Sequence, residues 1–360
     1  MPESGPLVIE DDNGMIWTIN PDGTITVTGD LNWDDEVLEA TANHQIYFKA
    51  HENQVFGFDS YKYALWSERY PVIKLLDQSL YFVPWKSIGS QYEDKIYAVV
   101  VDSTGNEINN PTFLDQDGTQ FSAVSVGNKT WEVTIPAGLP INKKVLAYDD
   151  QGKKVGKFNL LKYASRDVDV VVVPVNGAQV PPNVATYVND VYSQAYTLFN
   201  FTQQANWDFD FDQDNDGLDC ADPEGMDFYS DEMKAIRNAY FEVFDTSNTK
   251  AHFIFVVPGF ENTEQLGYNV GGKSISFVVT NAHPRVSAHE LAHRTGLEHT
   301  FPLLAEGTTN NLMDYVSSAN ADSALHLAAI QWEKIHSAPV FFSYLDNGED
   351  GSAYHLEGRE

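Results

Sequence analysis

The residues best placed to do chemistry lie in one short run, HELAHRTGLEH, from His289 to His299. Histidines four positions apart on a helix are separated by about 400° of rotation, so His289 and His293 share one face. Two imidazoles at that spacing can grip one small cation. A zinc ion that does chemistry takes three protein ligands and keeps a fourth position open. Gly296 gives the helix a place to stop, because glycine enters the left-handed region without steric cost. The chain can then double back and deliver His299 as the third ligand. Glu290, beside the first ligand, is positioned to hold and deprotonate a bound water. A bare His-Glu-x-x-His is also what two packing histidines on a helix look like. The five-position version, filled at every place here, is far harder to reach by chance.

Downstream lies NNLMDY, Asn310 to Tyr315, with Met313 following His299 by 14 positions. The two elements together resemble the metzincin clan of zinc endopeptidases, in which the extended histidine motif is followed by a methionine in a tight turn. The words GLEHTF and NNLMDY look most like its pappalysin-like branch. The resemblance covers about residues 166–340. It implies an α/β metzincin-type catalytic domain that hydrolyses peptide bonds with water activated at zinc. Zinc would be held by His289, His293 and His299, with Glu290 as general base. The resemblance also puts Gly296 at the end of the site helix and Met313 in the turn beneath the metal. Tyr315, two residues on, is similar to the tyrosine that approaches the zinc or the transition state in several branches. The chain departs from the branch in two ways: the connection from His299 to Met313 is short, and the cysteines often found there are absent. Thr300, after the third histidine, is not the residue diagnostic of a different branch, the astacins.

A second cluster is acidic. In DFDFDQDNDGLDCADPEG, residues Asp212, Asp214, Asp216 and Gly217 match the first half of a calcium loop, and Asp219 and Asp222 continue it. Alternate carboxylates before a glycine let the backbone fold around a hard cation. The bidentate glutamate of an EF-hand is missing, since Pro223 occupies its place. Calcium is the expectation, and a solvated acidic loop is the alternative. Cys220 lies inside the loop; a thiolate reaching the zinc would give latency, and a small buried side chain is the plainer reading. His283 reads as structural or as lining the cleft.

These groups need elements to hold them. DVDVVVVPV reads as a buried strand, and Val184, Val188, Val191, Ala195 and Leu198 form a helical stripe. Ser230 can cap a helix over SDEMKAIRNAYFEVF. AHFIFVV and SISFVVT are strands, and the site helix begins at Pro284 or Val286. A last helix is expected in ALHLAAIQWEKI. Upstream the sequence is all β. Residues 1–90 carry MIWTI and TITVTG as a hairpin about NPDG, and QIYFKA and VFGFDSY as a second pair about HENQ. Their aromatics, Tyr47, Phe48, Phe56, Phe58, Tyr61, Tyr63 and Trp66, form either a core or a platform for a glycan or protein. Residues 91–165 hold five strand-like runs of immunoglobulin-like size. The expected order is therefore multidomain: a β-rich module (1–90), an immunoglobulin-like β-sandwich (91–165), a metzincin-like zinc peptidase domain (166–340) and a polar tail (341–360).

Composition bounds the partners. The 360 residues carry 52 acidic against 22 basic side chains, a net charge of −30. Such a surface repels nucleic acid and anionic membranes, and it favours cations. No apolar run is long enough to span a bilayer. One cysteine forbids an intrachain disulfide. The first residues do not read as a secretory signal, so export by another route, or excision from a longer chain, is expected. The reading is an extracellular bacterial protease acting on protein or peptide, its β-modules serving a docking partner. Two alternatives stand beside it: a surface-binding adhesin whose peptidase only processes itself, and a protease toxin delivered by a secretion system.

Overall fold

The computed structural model describes the strand backbones 7–10, 16–19 and 25–28, and residues 34–60, 70–103, 108–139, 142–220, 228–244, 250–300, 305–315, 318–323 and 325–338. The chain divides into two compact units, 1–164 and 165–360.

The first unit is built of strands. β1 (Leu7–Glu10), β2 (Ile16–Ile19) and β3 (Ile25–Thr28) form an antiparallel meander. Then come β4 (His44–Ala50), β5 (Phe58–Asp59), β6 (Val72–Lys74), β7 (Leu80–Phe82), β8 (Trp85–Gly89) and β9 (Asp94–Asp102). β10 (Thr112–Asp115), β11 (Gln120–Gly127), β12 (Thr130–Ile135), β13 (Lys143–Tyr148) and β14 (Lys154–Tyr163) complete it. Nine of these join in the order β4-β9-β12-β11-β10-β13-β14-β8-β5. The sheet folds so that β4 faces β14: the rings of Phe48 and Phe158 lie 4.7 Å apart, and a Cβ on Gly156 would meet the Ile46 carbonyl at 2.4 Å.

This topology corrects two expectations. The boundary at residue 90 does not exist, because β4 pairs with β9 and β8 pairs with β14 across it. QIYFKA and VFGFDSY are not a hairpin, since β5 pairs with β8 instead. Strand character is local, but a strand's partner is chosen by which faces bury together. Phe48 and Phe56 are core residues. Tyr61, Tyr63 and Trp66, and the tail 341–360, lie outside the described residues.

The second unit is a five-stranded mixed sheet with helices. Its strands are β15 (Arg166–Pro174), β16 (Thr197–Gln203), β17 (His252–Val257), β18 (Gly267–Asn269) and β19 (Ile275–Val279), in the order β16-β15-β17-β19-β18. All neighbours are parallel except β18, an antiparallel edge strand on β19. The helices are α1 (Val184–Tyr192), α2 (Asp231–Val243), α3 (Pro284–Arg294) and α4 (Ala329–Ser337). Met233, Ile236 and Tyr240 of α2 bury against Val173, Phe255 and Phe277 on one sheet face. Alternation sends Val172, Val256 and Val278 to the other face. α1 and α3 pack against each other, and the Tyr192 hydroxyl donates to the Ala288 carbonyl at 2.8 Å. The helical stripe stops sooner than its periodicity suggests. After a 3₁₀ turn at Ser193–Ala195, Tyr196 takes φ 47°, and Leu198 lies exposed on β16.

Candidate metal centre

α3 carries the site, and its ends are both specified locally. The His283 side chain accepts from the Arg285 N–H at 3.2 Å, and Pro284 occupies the first turn, where its missing N–H costs nothing. His283 also meets Asp322 at 3.1 Å, so it is a cap and not a ligand. At the other end Gly296 takes φ +76°, and its N–H bonds the His293 carbonyl at 2.9 Å. That left-handed residue reverses the chain.

The reversal brings His299 to the α3 face. The three Nε2 atoms approach one another at 3.0 Å (His289–His299), 3.1 Å (His293–His299) and 3.2 Å (His289–His293). Ligands held at about 2.0–2.1 Å by one small tetrahedral cation lie about 3.3–3.4 Å apart, close to this spacing. The tautomers agree. His289 Nδ1–H donates to the Leu312 carbonyl at 2.9 Å and His293 Nδ1–H to the Leu297 carbonyl at 2.8 Å, which leaves both Nε2 lone pairs inward. Burial holds His293 down to about 4, and burial together with the nearby His293 holds His299 down to about 3. Burial also lowers His289, well below the usual imidazole range. All three imidazoles are neutral at ordinary pH, so this group could hold a metal ion.

Glu290 lines a cleft of about 250 Å³ with His289, Arg285, Val286, Tyr315 and the segment Glu264–Gly267. Burial raises its carboxyl to about 8. Its Oε2 has no hydrogen-bond partner among the described residues. Tyr315 sets its ring 4.8 Å from that of His299 and 5.7 Å from that of His289. Desolvation, then the charges of Glu290 and Glu306, push its hydroxyl up to about 12, so it is a proton donor at neutral pH.

No family model and no curated protein matches the chain. Among solved structures it is similar to metalloproteinase-II from Bacteroides fragilis, with a TM-score of 0.33 and 11% identity over 74% of this chain and 90% of that one. It is also similar to domains 4 and 5 of the S-layer protein SbsC, at 0.19 and 13% over 46% and 96%. A third likeness is to SGBP-B of the Bacteroides ovatus mixed-linkage glucan utilization locus, at 0.17 and 9% over 42% and 52%. These likenesses are distant, and the chemistry of the centre rests on its own geometry.

Met313 is fully buried in a turn whose carbonyls face α3. Its own carbonyl accepts from Thr300 N–H at 3.1 Å, tying the turn to the residue after His299. Sequence reasoning missed the groups that hold this turn. Arg285 Nη2 donates to the carbonyls of Leu312 (2.7 Å), Asn311 (3.3 Å) and Asp314. Asn311 and Gln331 exchange amide hydrogen bonds at 2.8 and 3.1 Å. Asp314 accepts from Gly307 and Thr309 N–H at 2.9 and 2.7 Å. Arg285 precedes His289 by one helical turn and so was legible on the same face; Gln331 carries no local signal.

In the acidic loop, carboxylate oxygens of Asp212, Asp214 and Asp216 lie within 4.8 Å of one another. Asp212 accepts from Asp216 and Gly217 N–H at 3.0 and 3.1 Å. Asp219 is not in that group: its N–H donates to Glu232 on α2 at 2.8 Å. Asp222 lies outside the described residues. Cys220 packs half-buried against the α2 core, and burial followed by the Asp219 and Glu261 charges raises its thiol to about 12, which disfavours a ligating thiolate.

Proposed function

We propose that the second unit is a zinc-dependent endopeptidase of the metzincin type, in its pappalysin-like branch. The observation that carries the reading is the convergence of three neutral imidazole nitrogens, one of them on His289, which lines a cleft together with the buried Glu290 carboxyl, whose Oε2 has no hydrogen-bond partner among the described residues. Structural zinc takes four protein ligands, cysteine or histidine, whereas three leave a position for substrate or water. His289, His293 and His299 would hold the ion. When bound, zinc supplies a Lewis acid that polarises the scissile carbonyl and acidifies water. Glu290 takes a proton from water at its carboxylate and passes it to the leaving amine. The Tyr315 hydroxyl donates a hydrogen bond to the oxygen that gains charge. Arg285 and the Asn311–Gln331 pair keep the turn, and through Leu312 the His289 ring, in place.

The first unit is read as an immunoglobulin-like sandwich with an added meander, serving docking outside the cell. Among the described residues no helix is long and apolar enough to cross a membrane. The Asp212, Asp214 and Asp216 loop is read as a calcium site.

The test is metal content of the purified chain, together with mass spectrometry of an unfolded protein incubated with it, with and without chelator. Near one zinc per chain and chelator-sensitive cleavage of the added protein are expected. Cuts confined to the chain itself would favour the self-processing alternative. No cleavage by the zinc-loaded chain would sink the peptidase reading.

A further inference from the structure

Glu290 is buried, yet among the described residues no hydrogen bond to its Oε2 explains where the carboxylate sits. What lies against it is backbone. A Cβ placed on Gly267 would meet Glu290 Oε1 at 2.4 Å, Glu290 Cδ at 3.0 Å and Val286 Cγ1 at 2.6 Å. Gly267 opens the edge strand β18, opposite Val278 of β19. Its φ is not among the positive ones, so the backbone there suits any residue, and the demand for glycine is one of space. Other glycines show the contrast: Gly259 and Gly271 have nothing within 4 Å of a built Cβ. The Gln265 side-chain amide donates to the Gly267 carbonyl, holding the strand at this closest approach.

We infer that Gly267 is a positioning residue for Glu290: β18 omits a side chain so that the base's carboxylate can occupy that volume and face the cleft. The inference rests on the peptidase reading for its catalytic consequence, but the contact itself can be tested without it. Restoring an ordinary separation of about 3.4 Å from 2.4 Å moves the carboxylate by about 1 Å. A misplacement of that size near reacting atoms costs on the order of 10²-fold in rate.

The experiment uses the full zinc-loaded chain with Gly267→Ala, and Gly271→Ala as control. Expected are a ~10²-fold fall in kcat, with KM and zinc content near wild type, and no change for the control. A second measurement is the thermal midpoint of the metal-free chain in a cycle of Gly267→Ala and Glu290→Ala. Gly267→Ala should lower the midpoint in the wild-type background and lower it much less once Glu290 is shortened. If Gly267→Ala alone does not fold, recovery of folding in the double variant carries the same meaning. An unchanged kcat, or an equal midpoint loss in both backgrounds, overturns the inference. A wild-type chain with no peptidase activity would fail the proposed function while leaving the stability cycle to decide the contact.

Discussion

Replacing Glu290 by Gln should sharply lower activity and, in the metal-free protein, raise stability in alkali. Burial holds the folded carboxyl up to about 8, against 4.5 for the free group. The folded chain therefore binds this proton more tightly than the unfolded chain does. The stabilisation from it is complete below pH 4.5, declines as pH rises, and is gone above about 8. A rise of that size corresponds to about 5 kcal/mol, an upper figure because relaxation and water entry soften the burial of a charge. Gln has the shape of Glu, fits beside Gly267 and cannot ionise. The two proteins should thus melt together near pH 5 and separate as pH rises to 9. At pH 9 the variant should be higher by several degrees in the transition of the second unit. The assay is calorimetry of both chains after chelator treatment, at matched ionic strength. Groups common to the two proteins cancel in the difference. Loading zinc should shrink the gap, since a neighbouring cation favours the carboxylate. A difference that is flat with pH, or a variant less stable at pH 9 than at pH 5 relative to wild type, would refute the reasoning. The same variant should retain zinc and lose at least ~10²-fold in kcat.

His299→Ala should weaken zinc binding beyond the ~10–100-fold typical of losing an outer partner of a ligand, as read by chelator competition, while α3 remains folded. Asn311→Ala strands Gln331 and the Met313 N–H that donates to Asn311 Oδ1 at 2.9 Å, and should cost ~1–3 kcal/mol in denaturant unfolding. Millimolar calcium should raise the melting temperature with the logarithm of its free concentration, and Asp214→Ala with Asp216→Ala should remove that response. A midpoint indifferent to calcium in wild type means the loop is only solvated. A fragment from Ala164 onward should fold, bind zinc and cleave a short peptide with near wild-type kcat; an inactive but zinc-loaded fragment would mean that the β-strands shape the cleft.

Most of the candidate site was legible because its geometry is local. A helix places positions four apart on one face, so the spacing of His289 and His293 alone put both imidazoles together. Gly296 announced the reversal that delivers His299, and the acidic spacing before Gly217 announced the cluster of Asp212, Asp214 and Asp216. Ser230 was legible as a cap, and its Oγ accepts from Met233 N–H at 3.1 Å. Strand identity in the first unit was also local, set by alternating side chains. What the tertiary structure decided was every pairing between distant segments. β4 chose β9 over its neighbour, erasing a boundary at residue 90, because burial of a whole face outweighs the proximity of a turn. Gln331 met Asn311 only because α4 packs under the turn. Gly267 shows the limit most clearly. Nothing in its neighbours in sequence asks for glycine, and the reason lies 23 positions away, in a carboxylate that α3 presses against the edge of the sheet.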